Sequence, residues 1–204
     1  MTEASQGLLD AFVAGARDAS FTEQLAVLLG VIYIVLAIRR HRGCWIAGGA
    51  GTALYAFVFL DARLLLQAAL QVIYVAMAVY GWLAWRPESG TVGFAPRRWT
   101  LRPQLAAGLA VLALSAITAP LLGRYTEAVA PLADALGTWA SVAATWMLAR
   151  RVLESWIWWV AIDAGLALLF LSQGLAFTAA LYLAYAFLAI AGWRSWRSAL
   201  EPAA

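Results

Sequence analysis

Trp156, Trp159 and Asp163 fall at i, i+3 and i+7 of the apolar run Glu154 to Ser172, ESWIWWVAIDAGLALLFLS, and so share one face of a helix. Two indole rings above a carboxylate suit a planar cationic or polar aromatic ligand, because the ring quadrupole and the acid attract the same positive charge. An acid at the centre of a bilayer costs roughly 2.5–3.5 kcal/mol on insertion scales, so Asp163 is expected to face a cavity or a partner. Trp156, close to Arg150 and Arg151, can equally belong to an interfacial aromatic belt. Trp159 lies a turn deeper. Asp163 is about 10 Å beyond Trp156 at 1.5 Å per residue, well inside a core about 30 Å thick, where a belt explains nothing.

A second polar set is Gln67, Gln71 and Tyr74, again on one helical face, matched further along the chain by Thr178, Tyr182 and Tyr185. Amides and phenols suit sugar hydroxyls or a carboxamide. They can also bond helix to helix, worth around 0.6 kcal/mol on average, and for Gln67 that role is the simpler one. Gln71 and Tyr74 are deeper and are expected at the site, with Tyr55, Trp139, Trp146 and Gln173 as weaker candidates. Trp82, Trp85, Trp193 and Trp196 stand beside arginines at helix ends and read as interface anchors.

The elements that position these groups must lie in a membrane. The chain of 204 residues is 64% hydrophobic and 12% charged, with a mean hydropathy of +0.79, which places it in the membrane class. A pI near 9.4 does not imply nucleic acid, because the basic residues are all arginine and sort by loop. One cysteine, Cys44, excludes an internal disulfide, and one histidine, His41, leaves no cluster for a metal. There is no phosphate-binding loop, no H-E-x-x-H and no G-x-S-x-G, so neither a cofactor nor an enzyme is expected. A carrier is expected, with a membrane scaffold or sensor as the competing class. Residues 1–20 lack the basic start and apolar run of a secretory signal, although Leu8, Leu9, Phe12 and Val13 can form a short interfacial helix.

Seven apolar runs predict seven spans: Thr22 to Ile38, Trp45 to Leu60, Ala62 to Trp85, Gln104 to Leu122, Ala133 to Leu148, Ser155 to Leu171 and Leu175 to Trp193. Eleven arginines (39, 40, 42, 86, 97, 98, 102, 150, 151, 194 and 197) fall on one side, against Arg17, Arg63 and Arg124 on the other. By the positive-inside rule the N-terminus is outside and the C-terminus cytoplasmic. Sliding the chain by 111 residues without a gap gives 19 identities over residues 39–86, where chance matching is roughly a tenth. Arg39-Arg40 meets Arg150-Arg151, Trp45-Ile46 meets Trp156-Ile157, and Gly81-Trp82 meets Gly192-Trp193. Three spans per repeat and one between them make the repeats parallel, an all-α, three-plus-one-plus-three architecture like that of SWEET-like transporters. The divisions are an extracytoplasmic segment 1–20, a first bundle 21–86, a link and connecting helix 87–132, a second bundle 133–197 and a tail 198–204.

The repeats diverge where Ala47-Gly48-Gly49-Ala50-Gly51-Thr52 opposes Trp158-Trp159-Val160-Ala161-Ile162-Asp163. Small residues let helices approach closely, and they also leave a smooth wall opposite the aromatic and acidic face. The stretch Glu154 to Asp163 resembles the E-N-W-x-x-W-x-x-x-[ND] signature of the PnuC family of bacterial vitamin transporters. Leu70-Gln71 with Tyr80-Gly81-Trp82-Leu83-Ala84-Trp85 resembles its L-Q…Y-G-W-x-A-W stretch. The resemblance runs from about Phe21 to Trp196. It implies import of nicotinamide riboside across the bacterial inner membrane by facilitated diffusion, a cytoplasmic kinase trapping the product, and a homo-oligomer, commonly a trimer. By residue match Gln71, Trp156, Trp159 and Asp163 line the site, to which the sequence reading adds Tyr74, Tyr182 and Tyr185. Asp163 stands where well-known nicotinamide riboside carriers have Asn, and Gly51 and Ala78 stand where Asn is frequent. An acid suits any flat cation, so thiamine, taken up by the PnuT branch, is the competing substrate.

Overall fold

The computed structural model describes residues 21–61, 65–86, 94–126, 130–172, 174 and 176–200. Residues 1–20, Arg63, residues 87–93 of the link, Gln173 and residues 201–204 lie outside this range, as does the side chain of Gln67. Seven helices follow one another: α1 (Phe21–Ile38), α2 (Cys44–Asp61), α3 (Leu65–Ala84), α4 (Leu101–Tyr125), α5 (Pro131–Ala149), α6 (Ser155–Ser172) and α7 (Ala176–Arg197). By length and composition α2, α4 and α6 are each sufficient to cross a membrane. Among the described residues there is no strand, and the one bridge joins Arg97 to Val152.

α2 packs between α1 and α3, and α6 packs between α5 and α7. Between the two sets, α3 meets α5 and α1 meets α7. A shift of 111 residues turns α1 into α5 and α3 into α7, so these two contacts are one contact repeated by a pseudo-two-fold. α4, the odd helix, packs against α5.

The repeat is visible in single hydrogen bonds. α1 ends with Arg40 N–H donating to Ala37 O at 3.0 Å and His41 N–H to Leu36 O at 2.9 Å, and α5 ends with Arg151 to Leu148 at 2.9 Å and Val152 to Met147 at 2.9 Å. Each is a Schellman ending with a residue in the left-handed region, Arg40 at φ 59° and Arg151 at φ 62°. Glycine usually fills that position, because a side chain there costs about 1–2 kcal/mol. For Arg151 there is an offsetting gain: its guanidinium donates to Ala84 O at 2.6 Å and Arg86 O at 3.2 Å, capping the last turn of α3 in the other set.

The densest core lies at this arginine-rich end. Trp45 meets Trp85 edge to face at 5.4 Å and 89°, and Trp156 meets Trp196 at 5.5 Å and 85°. Gly81 and Gly192 make room for the two inner indoles, since an added Cβ would stand 2.3 Å from the Trp45 ring and 2.5 Å from the Trp156 ring. Trp85 Nε1 donates to Ala149 O and Trp196 Nε1 to Ala37 O, both at 3.0 Å, so each indole reaches the first helix of the opposite set. The expectation that Trp85 and Trp196 are interface anchors is therefore corrected: they are 4% and 0% exposed. Trp82 and Trp193 do stand against arginines, Arg42 at 3.4 Å and Arg197 at 5.1 Å from the ring centroids.

The link closes over this core. Phe94 inserts between Trp85 and Trp196, at 4.5 and 4.8 Å. Arg97 pairs with the backbone of Arg151 and Leu153 at 2.7 and 2.8 Å. Buried Glu154, two residues before the first site tryptophan, accepts from Trp99 N–H at 2.8 Å and from Arg98 Nε at 3.4 Å.

Candidate functional site

A cavity of about 270 Å³ opens where the first helix set faces the second. Six neutral polar side chains line it: Tyr33, Thr52, Tyr55, Gln71, Tyr74 and Thr145. Trp45 and Trp159 add indole surface, and among the described residues no acidic or basic side chain is in the lining. A second hollow of about 520 Å³, between α5 and α6, is lined by residues such as Leu136, Gly137, Trp158, Ile162 and Leu166. Its lining is apolar and offers nothing to orient a polar solute; the smaller cavity has the convergent polar groups of a binding site.

The cavity exists because the two halves differ at equivalent positions. Gly48 and Gly51 on α2 correspond to Trp159 and Ile162 on α6. At Gly51 a Cβ would stand 3.2 Å from Leu29 Cβ and 3.5 Å from Ala26 O, so this glycine brings α1 close to α2. At Gly48 a Cβ would stand 2.8 Å from the Tyr33 ring. The first set thus contributes most of the lining, and Thr145 and Trp159 complete it from the second.

Three of the sequence-derived candidates, Gln71, Tyr74 and Trp159, line the cavity. Tyr74 also faces Ser141 on α5, across the junction of the two sets. Tyr182 and Tyr185 do not line it; Tyr182 stacks on Phe170 at 5.2 Å. Asp163 is likewise outside the lining and is buried, 5% exposed. Its charge acts on both Tyr182 and Tyr185. The ion pair described in the structure joins Arg98 to Glu154, not Asp163 to an arginine. Tyr182 and Tyr185 are themselves edge to face at 6.0 Å.

Trp156 is placed differently from the expectation. It is 2% exposed, with its ring against Gly192 and Trp196, and it does not line the cavity. Its helical face also points at the core of the arginine-rich end, so sharing a face with Trp159 did not give it a share in the cavity. Two weaker candidates also serve packing: Trp139 donates to Thr118 Oγ1 on α4 at 3.1 Å, and Trp146 packs edge to face with Trp99 at 5.4 Å. Tyr55 does line the cavity. Tyr33, Trp45, Thr52 and Thr145 were not singled out from the sequence. For Tyr33 and Trp45 a signal existed in the glycines at 48 and 81, each of which leaves space for the ring it faces.

Comparison with known proteins assigns this arrangement. The sequence profile of the nicotinamide mononucleotide transporter family matches residues 20–198, nearly the whole chain. The chain belongs to that family. It is similar to the nicotinamide riboside transporter PnuC of Escherichia coli (strain K12), 26% identical over 209 residues that cover 90% of this chain and 87% of the relative. It is similar to the same degree, 26% over 193 residues, to the riboflavin/roseoflavin transporter RibM of Streptomyces davaonensis, covering 92% of this chain and 89% of that one. The crystal structure of the vitamin B3 transporter PnuC superposes with a TM-score of 0.69 at 19% identity, over 98% of this chain and 93% of that one. The family fold is thus shared along essentially its full length. Membership and the apolar helices make the protein a multi-pass membrane transporter of the PnuC type.

Proposed function

We propose that the protein carries nicotinamide riboside into the cell by facilitated diffusion, with phosphorylation inside the cell trapping the product. The observation that supports this most is the lining of the cavity: among the described residues it offers neutral hydrogen-bonding groups and aromatic faces and no basic side chain. A flat pyridinium suits the rings and the acid, and a ribose suits Gln71, Tyr74 and Thr52. A phosphate has no cation to meet it here, and burying an unpaired anion near Asp163 is costly. The nucleoside is therefore favoured over its mononucleotide, even though the family takes its description from the latter. Trp159, Gln71 and Tyr74 contact the substrate in this proposal. Tyr182, Tyr185 and Asp163 supply the field behind it, and Trp156 holds α6 in place.

Thiamine is the second reading, favoured by Asp163, because that acid rewards any flat cation. The similarity to RibM brings riboflavin into the comparison as an uncharged competitor. In the proposed topology the arginine-rich end faces the cytoplasm and the N-terminus lies outside, and the assembly is a trimer by family resemblance. Calorimetry with the purified protein against nicotinamide riboside, its mononucleotide, thiamine and riboflavin decides among them. Nicotinamide riboside is expected to bind most tightly. Tighter binding of the mononucleotide would overturn the proposal.

A further inference from the structure

Tyr33 and Gly48 on α1 and α2 correspond, 111 residues on, to Ala144 and Trp159 on α5 and α6. Each set therefore has one large ring and one small residue at this pair of positions, with the order exchanged. In the first set the ring is on the first helix and the gap on the second; in the second set it is the reverse. Two rings in both sets would crowd the cavity. Two small residues in both would leave it without a face. As built, Tyr33 and Trp159 enter one 270 Å³ cavity from opposite sets.

The other rings near the cavity are already engaged. Trp45 is 3% exposed, with its ring against Gly81. Tyr55 is stacked on Phe59 at 6.0 Å and 22°, and the Tyr74 phenol faces Ser141. Tyr33 is half-buried and fixed on two sides, by Gly48 beneath it and by the edge of Trp45 at 6.0 Å. Held on those two sides, its ring lines the cavity.

We infer that Tyr33 and Trp159 are the two walls of a slot for the flat ring of the transported solute, with Gly48 setting the position of Tyr33. This rests on the proposed carriage of a flat vitamin, but not on which vitamin it is. Stacking of a ring on an aromatic side chain is worth about 1–3 kcal/mol by alanine substitution, from a little over fivefold to more than a hundredfold in affinity. The phenol hydroxyl is not needed for a stacked face, which separates this role from hydrogen bonding.

The test is calorimetry on the whole purified protein, with nicotinamide riboside as probe and thermal melting recorded in parallel. Tyr33→Ala is expected to lose about tenfold or more in affinity while Tyr33→Phe stays within about twofold of wild type. Gly48→Ala, which forces the Tyr33 ring to shift without removing it, is expected to weaken binding several-fold, and it serves as the measurement if Tyr33→Ala does not fold. Wild-type affinity in either Tyr33→Ala or Gly48→Ala overturns the slot, as does a Tyr33→Phe loss equal to that of Tyr33→Ala. If the wild type takes thiamine or riboflavin instead, the proposed substrate fails while the same variants test the slot with that ligand. If it binds none of them, both fall.

Discussion

Trp159 lines the cavity from α6, and its repeat mate, Gly48, lines it from α2 with no side chain. As the cavity's contribution from α6, it should dominate ring recognition. Trp159→Ala is expected to cost about 1–3 kcal/mol of binding, at least fivefold in Kd, measured by calorimetry. In the proposed carriage Asp163 acts from outside the lining, through its charge rather than by contact. Asp163→Asn is therefore expected to weaken the cations nicotinamide riboside and thiamine while leaving uncharged nicotinamide unchanged, read as Kd by calorimetry. Equal losses for charged and uncharged ligands would show that the acid is structural. These residues were partly legible in the sequence: Trp159, Gln71 and Tyr74 follow from depth and helical face. Trp156 did not, because a face shared at i+3 says nothing about which neighbour that turn of the helix meets, and the neighbour here is Gly192.

At the scale of the helices, the two indole-on-glycine contacts fix how α2 sits on α3 and α6 on α7. Gly81→Ala and Gly192→Ala place a methyl group 2.3 and 2.5 Å from the Trp45 and Trp156 rings. Each is expected to destabilise by about 1–3 kcal/mol through overpacking, read as a lower melting temperature and altered tryptophan fluorescence. Gly108→Ala on α4, where nothing lies within 4 Å, is the control and should be neutral or slightly stabilising. Glu154 ties the link to the start of α6. Glu154→Ala leaves the Trp99 N–H without its acceptor and is expected to cost about 1–3 kcal/mol in thermal stability. The Arg98 end of that contact is 74% exposed and adds little. The helices themselves could be read from the sequence almost to their ends, because apolar length decides them. α4 begins at Leu101 and ends at Tyr125, three residues beyond the apolar run at either side, since its polar ends continue the hydrogen-bonded ladder. The burial of Trp85 and Trp196 could not be read, because an arginine beside a tryptophan looks the same at a lipid interface and at the mouth of a core.

Over the whole molecule, the repeat found as 19 identities reappears as paired turns, paired indole bonds and two equivalent contacts between helix sets. The alignment of the repeats already showed one break in the symmetry, residues 47–52 against 158–163; what it could not show is that Tyr33 on α1 takes part in it. That break lies in a few positions where ring and glycine change places, and partly before residue 39, where the identities begin. The described bonds between the sets gather at the arginine-rich end: the two indole bonds, the Arg151 cap and Ser195 Oγ donating to Ile38 O at 2.9 Å. Carriage of a flat solute between the sets is tested most directly by uptake of labelled nicotinamide riboside into liposomes containing the protein, without ATP. Saturable uptake is expected, competed by unlabelled nicotinamide riboside but not by its mononucleotide, and reduced at least fivefold in Trp159→Ala. Absence of uptake by the folded wild type, or undiminished uptake by Trp159→Ala, would contradict the account.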